Sequence, residues 1–383
     1  VKQTLQQLGT RMRRIELPYA KSLANRVMLL RALRGEALPS PDPLWNDDMH
    51  AMLRVLTAPA GPDGVRRADA GPAGTAYRFG MAYWAAQPGS DILLCGDKRM
   101  RERPIAPLVE ALRGLGATLE SVAEGWRIQG VAWPSGEVAV DARESSQFAS
   151  ALVLVASVAA PDLRATTPWG VSSEPYFAMS HTLAARTELP WPPERDWSAA
   201  LVFCAAVGLT GRPVLLPGLE FKSVQGDSAC AQWGGELGFA VTETPEGITV
   251  DHTAPATGSW VVDFGAQPDF AMPAIVAAAL LGRSGTASGL HTLNAKESPR
   301  LDATADWLGL LGCSVTKGAD WINWEVSHSV DQSNELELDC RGDHRMAFCA
   351  ALISLKRPVR ILGSDSVSKS FPDFWEQFGA LAG

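Results

Sequence analysis

The sequence has 383 residues with 46% hydrophobic and 20% charged side chains, and its net charge is −8. That length holds two or three ordinary domains with a sizeable core. The acidic balance argues against a general nucleic-acid or membrane-surface binder, because phosphate-rich partners need net basic faces.

Six cysteines are scattered without a CxxC pair or zinc spacing. A reduced, cytoplasmic protein with no disulfide framework and no metal site is expected. The first 16 residues lack the apolar core of a secretory signal. The longest apolar runs, Phe148–Ala160 and Phe270–Leu281, are too short to span a bilayer and read as core helices.

In chain order, residues 1–15 are polar and at best amphipathic. Ile15–Pro18 reads as a short strand stopped by proline. Helical spacing runs from Lys21 to Leu33 and stops at Gly35. Lys21, Ser22 and Arg26 then share the start of a helix, a place suited to phosphate or carboxylate, though a capped surface helix has the same pattern. Asn46-Asp47-Asp48 opens a second helix to Leu56. Residues 57–70 read as loop. Gly71-Pro72-Ala73-Gly74-Thr75 opens a small-residue helix whose glycines admit a ligand or simply a tight turn.

Ile92–Leu94 reads as a strand, followed by a loop with Lys98, Arg99, Arg101 and Arg103. Pro104 suits the first turn of the next helix, Ile105–Leu115. Val138–Asp141 is a strand, and Ser145-Ser146-Gln147 caps the apolar helix that follows. Ser172-Ser173-Glu174 repeats this before Phe177–Arg186. Pro190–Pro193 reads as a linker.

The second half uses the same order of parts. Asp196-Trp197-Ser198 opens an apolar helix, and Leu215–Leu219 is a strand. The strand Val261–Phe264 precedes Pro268-Asp269 and a buried helix. Gly289–Leu293, read as a strand, precedes Lys296-Glu297-Ser298-Pro299-Arg300. Asp343-His344-Arg345 stands before an apolar run to Leu355. Ser368-Lys369-Ser370 opens the last helix. Strand, charged or hydroxyl-rich turn, and small-residue helix recur several times in each half. Two α/β halves with polar turns facing each other predict a cleft.

Eight of these strings occur in one order: Lys21-Ser22 with Asn25-Arg26, Ala73-Gly74-Thr75 with Arg78, Arg99 to Ile105, Ser145-Ser146-Gln147, Pro268-Asp269, Lys296-Glu297 with Arg300, Asp343-His344-Arg345, and Ser368-Lys369 with Phe371-Pro372-Asp373. Together they resemble the 5-enolpyruvylshikimate-3-phosphate (EPSP) synthase family, from about residue 16 to 378, in a short, divergent form.

The resemblance implies an α/β fold of two lobes, an inside-out α/β barrel. Each lobe would hold three βαβαββ units around buried helices, with the site between lobes. The lobes are expected at 19–193 and at 1–18 plus 194–383. The implied reaction moves the enolpyruvyl group of phosphoenolpyruvate to the 5-hydroxyl of shikimate 3-phosphate by addition and elimination, releasing phosphate. Neither a metal nor an organic cofactor is implied, and a monomer is expected.

By the same resemblance, Lys21, Gly74, Arg99, Gln147, Arg300, Arg345 and Lys369 would hold phosphoenolpyruvate. Lys21, Ser22, Arg26, Ser145, Ser146, Gln147, Ser173, Asp269 and Lys296 would hold shikimate 3-phosphate. Asp269 would take the hydroxyl proton, Glu297 would serve the methylene carbon, and Lys21 and Lys369 would assist at the bridging and leaving oxygens. Tyr19-Ala20, Pro72, Thr292 and Ser298-Pro299 depart from the usual pattern. Two other readings stand beside this one. One is a relative that binds without turnover. The other is the sister activity on UDP-N-acetylglucosamine, which usually carries a loop cysteine, for which Cys95 is the candidate here.

Overall fold

The computed structural model describes residues 12–327 and 334–382. The expectations for residues 1–11, including the first part of the amphipathic stretch, lie outside the described residues.

Three four-stranded sheets share one strand order. In the first, Arg66–Asp69 pairs in parallel with Asp91–Cys95, which pairs antiparallel with Gly125–Gln129, and Thr118–Val122 closes the edge. Trp260–Asp263, Gly285–Ser288, Trp321–Val326 and Cys313–Lys317 repeat that order. So do Arg13–Arg14, Val214–Pro217, Gly247–His252 and Phe239–Thr244. Two further units keep only the parallel pair: Gly136–Ala139 with Leu163–Thr166, and Leu336–Asp339 with Val359–Leu362. The two-lobed α/β architecture thus contains units with and without the antiparallel hairpin.

Two hydrophobic cores hold the fold. One gathers buried residues from Tyr19 to Leu183. The other gathers Ile15, Leu17 and residues from Trp197 to Leu381. Each is built on helices that are apolar all round, a composition stable only when a helix is enclosed on every side. Trp197–Thr210 is buried from Trp197 to Leu209, and Ala271–Leu280 from Ala271 to Ala279. Between the cores, two segments run side by side: Ala20 N–H donates to Glu194 O at 2.9 Å and Asp196 N–H to Pro18 O at 3.0 Å.

Several elements differ from the sequence reading. Residues 57–70 contain the strand Arg66–Asp69, whose charged sequence buries only Ala68 and so lacks an apolar alternation. The basic cluster forms a short helix, Lys98–Glu102, because Asp97 caps it by accepting from Met100 N–H at 2.6 Å. Pro107, not Pro104, stands in the first turn of Ala106–Gly114. Gly289–Leu293 is not a strand. Gly289 takes φ +74°, and the strand lies at Gly285–Ser288, where a Cβ on Gly285 would come within 2.7 Å of the Trp324 ring. Ser364–Lys369 is a 3₁₀ turn, and the last helix is Phe374–Ala382.

Candidate active site

Six helix N-termini converge on one cleft between the two cores. From one side come Lys21–Leu33, Gly74–Ala85 and Ser146–Ala159; from the other come Trp197–Thr210, Ala271–Leu280 and His344–Ser354. The cleft is lined at those ends by Lys21 and Ser22, Gly74 and Thr75, Ser145 to Gln147, Asp196 and Ser198, Asp269, and His344 and Arg345. Helix starts present unpaired N–H groups and a positive dipole end, so this convergence favours anions before any side chain is counted.

The side chains reinforce that field. Arg26 is buried and held by neutral oxygens alone: Nε donates to Ser180 Oγ at 2.8 Å, Nη1 to Ser22 O at 2.7 Å and Nη2 to Tyr176 O at 2.9 Å. Arg78 donates to Gln147 Oε1 at 2.7 Å and to Pro104 O at 2.9 Å. Arg345 donates to Ser198 O at 3.0 Å. Among the described residues none of these three guanidiniums has a carboxylate within salt-bridge reach, and Nε of both Arg78 and Arg345 is buried without a partner. Burial lowers the pKa of Arg26 to about 10 and that of Arg78 well below the usual value, Arg103 adding to the second. Buried charge left without a counter-charge is costly.

The opposite wall is a carboxylate cluster organised by Arg300. Its Nε lies 2.7 Å from Asp343 Oδ2, Nη1 2.9 Å from Asp269 Oδ1 and Nη2 2.9 Å from Glu297 Oε2. Ser298 Oγ donates to Asp343 at 2.9 Å. Lys296 Nζ is 3.4 Å from Asp269, and Lys369 Nζ is 3.2 Å from Glu297 Oε1. Burial alone would raise the pKa of both acids. Lys296, Arg300 and Arg345 overcome it at Asp269, and Lys369, Arg300 and Arg103 overcome it at Glu297, so both sit below the ordinary carboxylate range. His344 is pushed well below its usual value by burial, then by Lys21 and Arg345, and is neutral.

Residues 62–190 and 187–378 match the EPSP synthase (3-phosphoshikimate 1-carboxyvinyltransferase) family. The chain belongs to the EPSP synthase family. A 3-phosphoshikimate 1-carboxyvinyltransferase of Bacteroides fragilis is 32% identical over 390 residues, covering 94% of this chain and 93% of that protein. One from Yersinia pestis is 31% identical over 428 residues, covering 99% and 98%. An EPSP synthase structure from Acinetobacter baumannii shares the fold with TM-score 0.67 at 19% identity, covering 96% of each chain.

Of the residues singled out by resemblance to EPSP synthases, thirteen line the cleft: Lys21, Ser22, Arg26, Gly74, Ser145, Ser146, Gln147, Ser173, Asp269, Lys296, Glu297, Arg300 and Arg345. Two do not. Arg99 turns aside and donates to the carbonyls of Asn294, Lys296 and Glu297. Arg103, one helical turn later, faces the cleft instead, with Nη1 3.7 Å from Glu297 Oε1. Lys369 is buried behind Glu297 and donates to Pro72 O at 2.7 Å.

The sequence reading passed over Asp48, Arg78, Arg103, Tyr176 and His344 as site residues, and all five line the cleft. Arg78 and Arg103 stood inside quoted motifs, where the choice between neighbouring arginines needs geometry. Asp48 looked like ordinary helix-start chemistry, but its Oδ2 is 2.7 Å from Lys21 Nζ. Thr292 lines the cleft with its hydroxyl buried and unpartnered. Cys95 is half-buried, outside the cleft lining, and its thiol is pushed up by burial, then by Asp69 and Glu124.

Among the described residues no helix is long and apolar enough to cross a membrane, and no cluster of three His, Cys, Asp or Glu could hold a metal ion.

Proposed function

We propose that the cleft performs the family's reaction with the residues assembled there. The chain transfers the enolpyruvyl group of phosphoenolpyruvate to the 5-hydroxyl of shikimate 3-phosphate and releases phosphate, a step of the shikimate pathway to aromatic amino acids. The observation that carries this reading is the trio Arg26, Arg78 and Arg345, buried around one cleft without carboxylate partners. Two substrates that bring two phosphates and two carboxylates would supply the missing counter-charge.

Shikimate 3-phosphate rests on Ser22, Arg26, Ser145, Ser146 and Ser173, with Asp269 and Lys296 across the cleft. Phosphoenolpyruvate rests on Lys21, Arg78, Arg103, Gln147, Arg300 and Arg345 beside Gly74, with Arg103 taking the role that the resemblance implied for Arg99. Lys369 acts through Glu297 and at the leaving oxygen.

Asp269 takes the 5-hydroxyl proton as that oxygen bonds to C2 of phosphoenolpyruvate, while Glu297 delivers a proton to the methylene carbon. The product of this step is a tetrahedral adduct. Glu297 then removes a proton from the new methyl group, the C2–O bond to phosphate breaks, and the proton held by Asp269 leaves with phosphate. Glu297 must be protonated at the start. The negative charge of phosphoenolpyruvate, drawing on Arg300, Lys369 and Arg103, offsets the cations that otherwise hold Glu297 ionised.

Among the described residues, the lobes are assigned as 19–193 and as 12–18 plus those from 194 to 382, crossing where residues 18–20 run beside 194–196. A monomeric, cytoplasmic enzyme fits the six free thiols and the self-contained cleft.

The test is phosphate release from phosphoenolpyruvate with either acceptor. Release with shikimate 3-phosphate alone is expected. Release with UDP-N-acetylglucosamine, or tight shikimate 3-phosphate binding without release, would reject the reading.

A further inference from the structure

Arg99 lies in the short helix Lys98–Glu102, and Arg103 follows at its C-terminal cap in an extended conformation. Both reach across the cleft to the same residue. Arg103 faces the Glu297 carboxylate at 3.7 Å. Arg99 instead takes the backbone: Nε lies 3.1 Å from Lys296 O and 3.2 Å from Glu297 O, and Nη2 lies 2.7 Å from Lys296 O and 3.1 Å from Asn294 O.

Asn294 lies in the 3₁₀ turn Leu293–Ala295, Lys296 caps it and Glu297 follows, so these carbonyls lie where the turn's internal donors run out. A planar guanidinium can serve three such oxygens at once, and its charge strengthens each bond. A lysine offers a point charge without the fork.

We propose that Arg99 is a positioning residue that fixes the Lys296–Glu297 backbone against the opposite lobe. The inference rests on the reaction proposed above. The segment Lys98–Arg103 would hold Glu297 at both ends, Arg103 by the carboxylate and Arg99 by the main chain. The distance between the proton carrier and a substrate seated on Ser22, Arg26 and Ser145 then depends on a residue that touches neither substrate. The adjoining Pro299 lacks an N–H and restricts Ser298, whose carbonyl accepts from Arg300 N–H at 2.8 Å.

The side chain of Arg99 is 38% exposed, so its removal should leave the fold intact. The experiment compares R99A, R99K and R101A with the wild type. Arg101 donates to Ala123 O within its own lobe and serves as the control. For R99A, kcat should fall roughly 10- to 100-fold, as expected when a reacting group is displaced by about an ångström. Shikimate 3-phosphate affinity should stay within about twofold, and the melting temperature should not move. R99K should fall between R99A and the wild type, and R101A should match the wild type. Unchanged kcat with a raised KM for phosphoenolpyruvate would make Arg99 a substrate ligand and overturn the inference. So would R99A with wild-type kinetics, or R99A that has lost shikimate 3-phosphate binding. A wild type that releases no phosphate would remove the reaction and this inference together.

Discussion

Lys369 Nζ lies 3.2 Å from Glu297 Oε1, and the same ammonium donates to Pro72 O on the far side of the cleft. A lysine expected by resemblance to hold phosphoenolpyruvate and assist at its oxygens is thus engaged with Glu297 and a carbonyl. Its ammonium touches groups from both sides of the cleft. The same economy recurs at Arg300, which faces three carboxylates, so one anionic substrate alters several proton equilibria together.

Asp269→Asn keeps the shape and one acceptor oxygen facing Arg300 but removes the base. Turnover should fall by about 10² or more while shikimate 3-phosphate still binds within a few-fold. Stopped-flow phosphate release with calorimetric binding checks this. A near-wild-type rate would take Asp269 out of proton transfer.

Gly74→Ala tests how closely the backbone meets the arginines. A Cβ there would stand 2.9 Å from Arg103 Nη1 and 3.0 Å from Arg78 Nη1. Both guanidiniums must shift, so KM for phosphoenolpyruvate should rise about tenfold, with shikimate 3-phosphate affinity nearly unchanged. Steady-state kinetics in both substrates decide it; equal losses for the two would mean the lobe itself is distorted.

Asp343 is fully buried, paired with Arg300 and Ser298, and caps Arg345 N–H at 2.9 Å. Asp343→Ala removes the counter-charge, the acceptor and the cap together, and should cost about 3 kcal/mol or more. Asp343→Asn keeps one acceptor oxygen, enough for the cap, and should lose less. Urea unfolding of the two variants measures the order; equal stability would leave the buried pair without a role in the fold.

Asp227 behaves in the opposite sense. Its carboxylate accepts from Tyr176 Oη at 2.8 Å and from Ser198, with Asp269 and Arg345 nearby. Burial, and after it the charge of Asp269, raises its pKa from 3.8 to about 6 despite those hydrogen bonds. The folded pKa lies above the unfolded one, so the ionised form weakens the fold as pH rises through 6, and no cost remains below about pH 4. Asp227→Asn should therefore be more stable than the wild type at pH 8 by up to about 3 kcal/mol, a gain that fades between pH 6 and 4. Denaturation curves across pH 4 to 8 test this, and a pH-independent difference would contradict it.

Much of the architecture was legible because its signals are local. Apolar runs without a polar face, such as Phe270–Leu281, have no stable state except enclosure. The hydroxyls and carboxylates ahead of such runs mark their starts: Asn46, Ser145, Asp196 and Asp343 all accept hydrogen bonds from their helices. The strands were harder. Arg66–Asp69 has no apolar alternation, because it lies at the edge of its sheet beside Asp91–Cys95 and buries only Ala68.

The site divides along the same line. Sequence order and residue type determined the family, the reaction and most of the cleft, because charge at the start of a buried helix is a local expense that demands a local reason. Which arginine of a basic cluster enters the cleft was decided only in three dimensions. Arg99 and Arg103 have the same chemistry and stand four residues apart, on and just past one short helix. Only the carbonyls of Asn294, Lys296 and Glu297, nearly two hundred residues away in the chain, draw the first aside and leave the second facing the cleft. Long-range contacts of that kind set the direction of a side chain, and no run of neighbouring residues contains them.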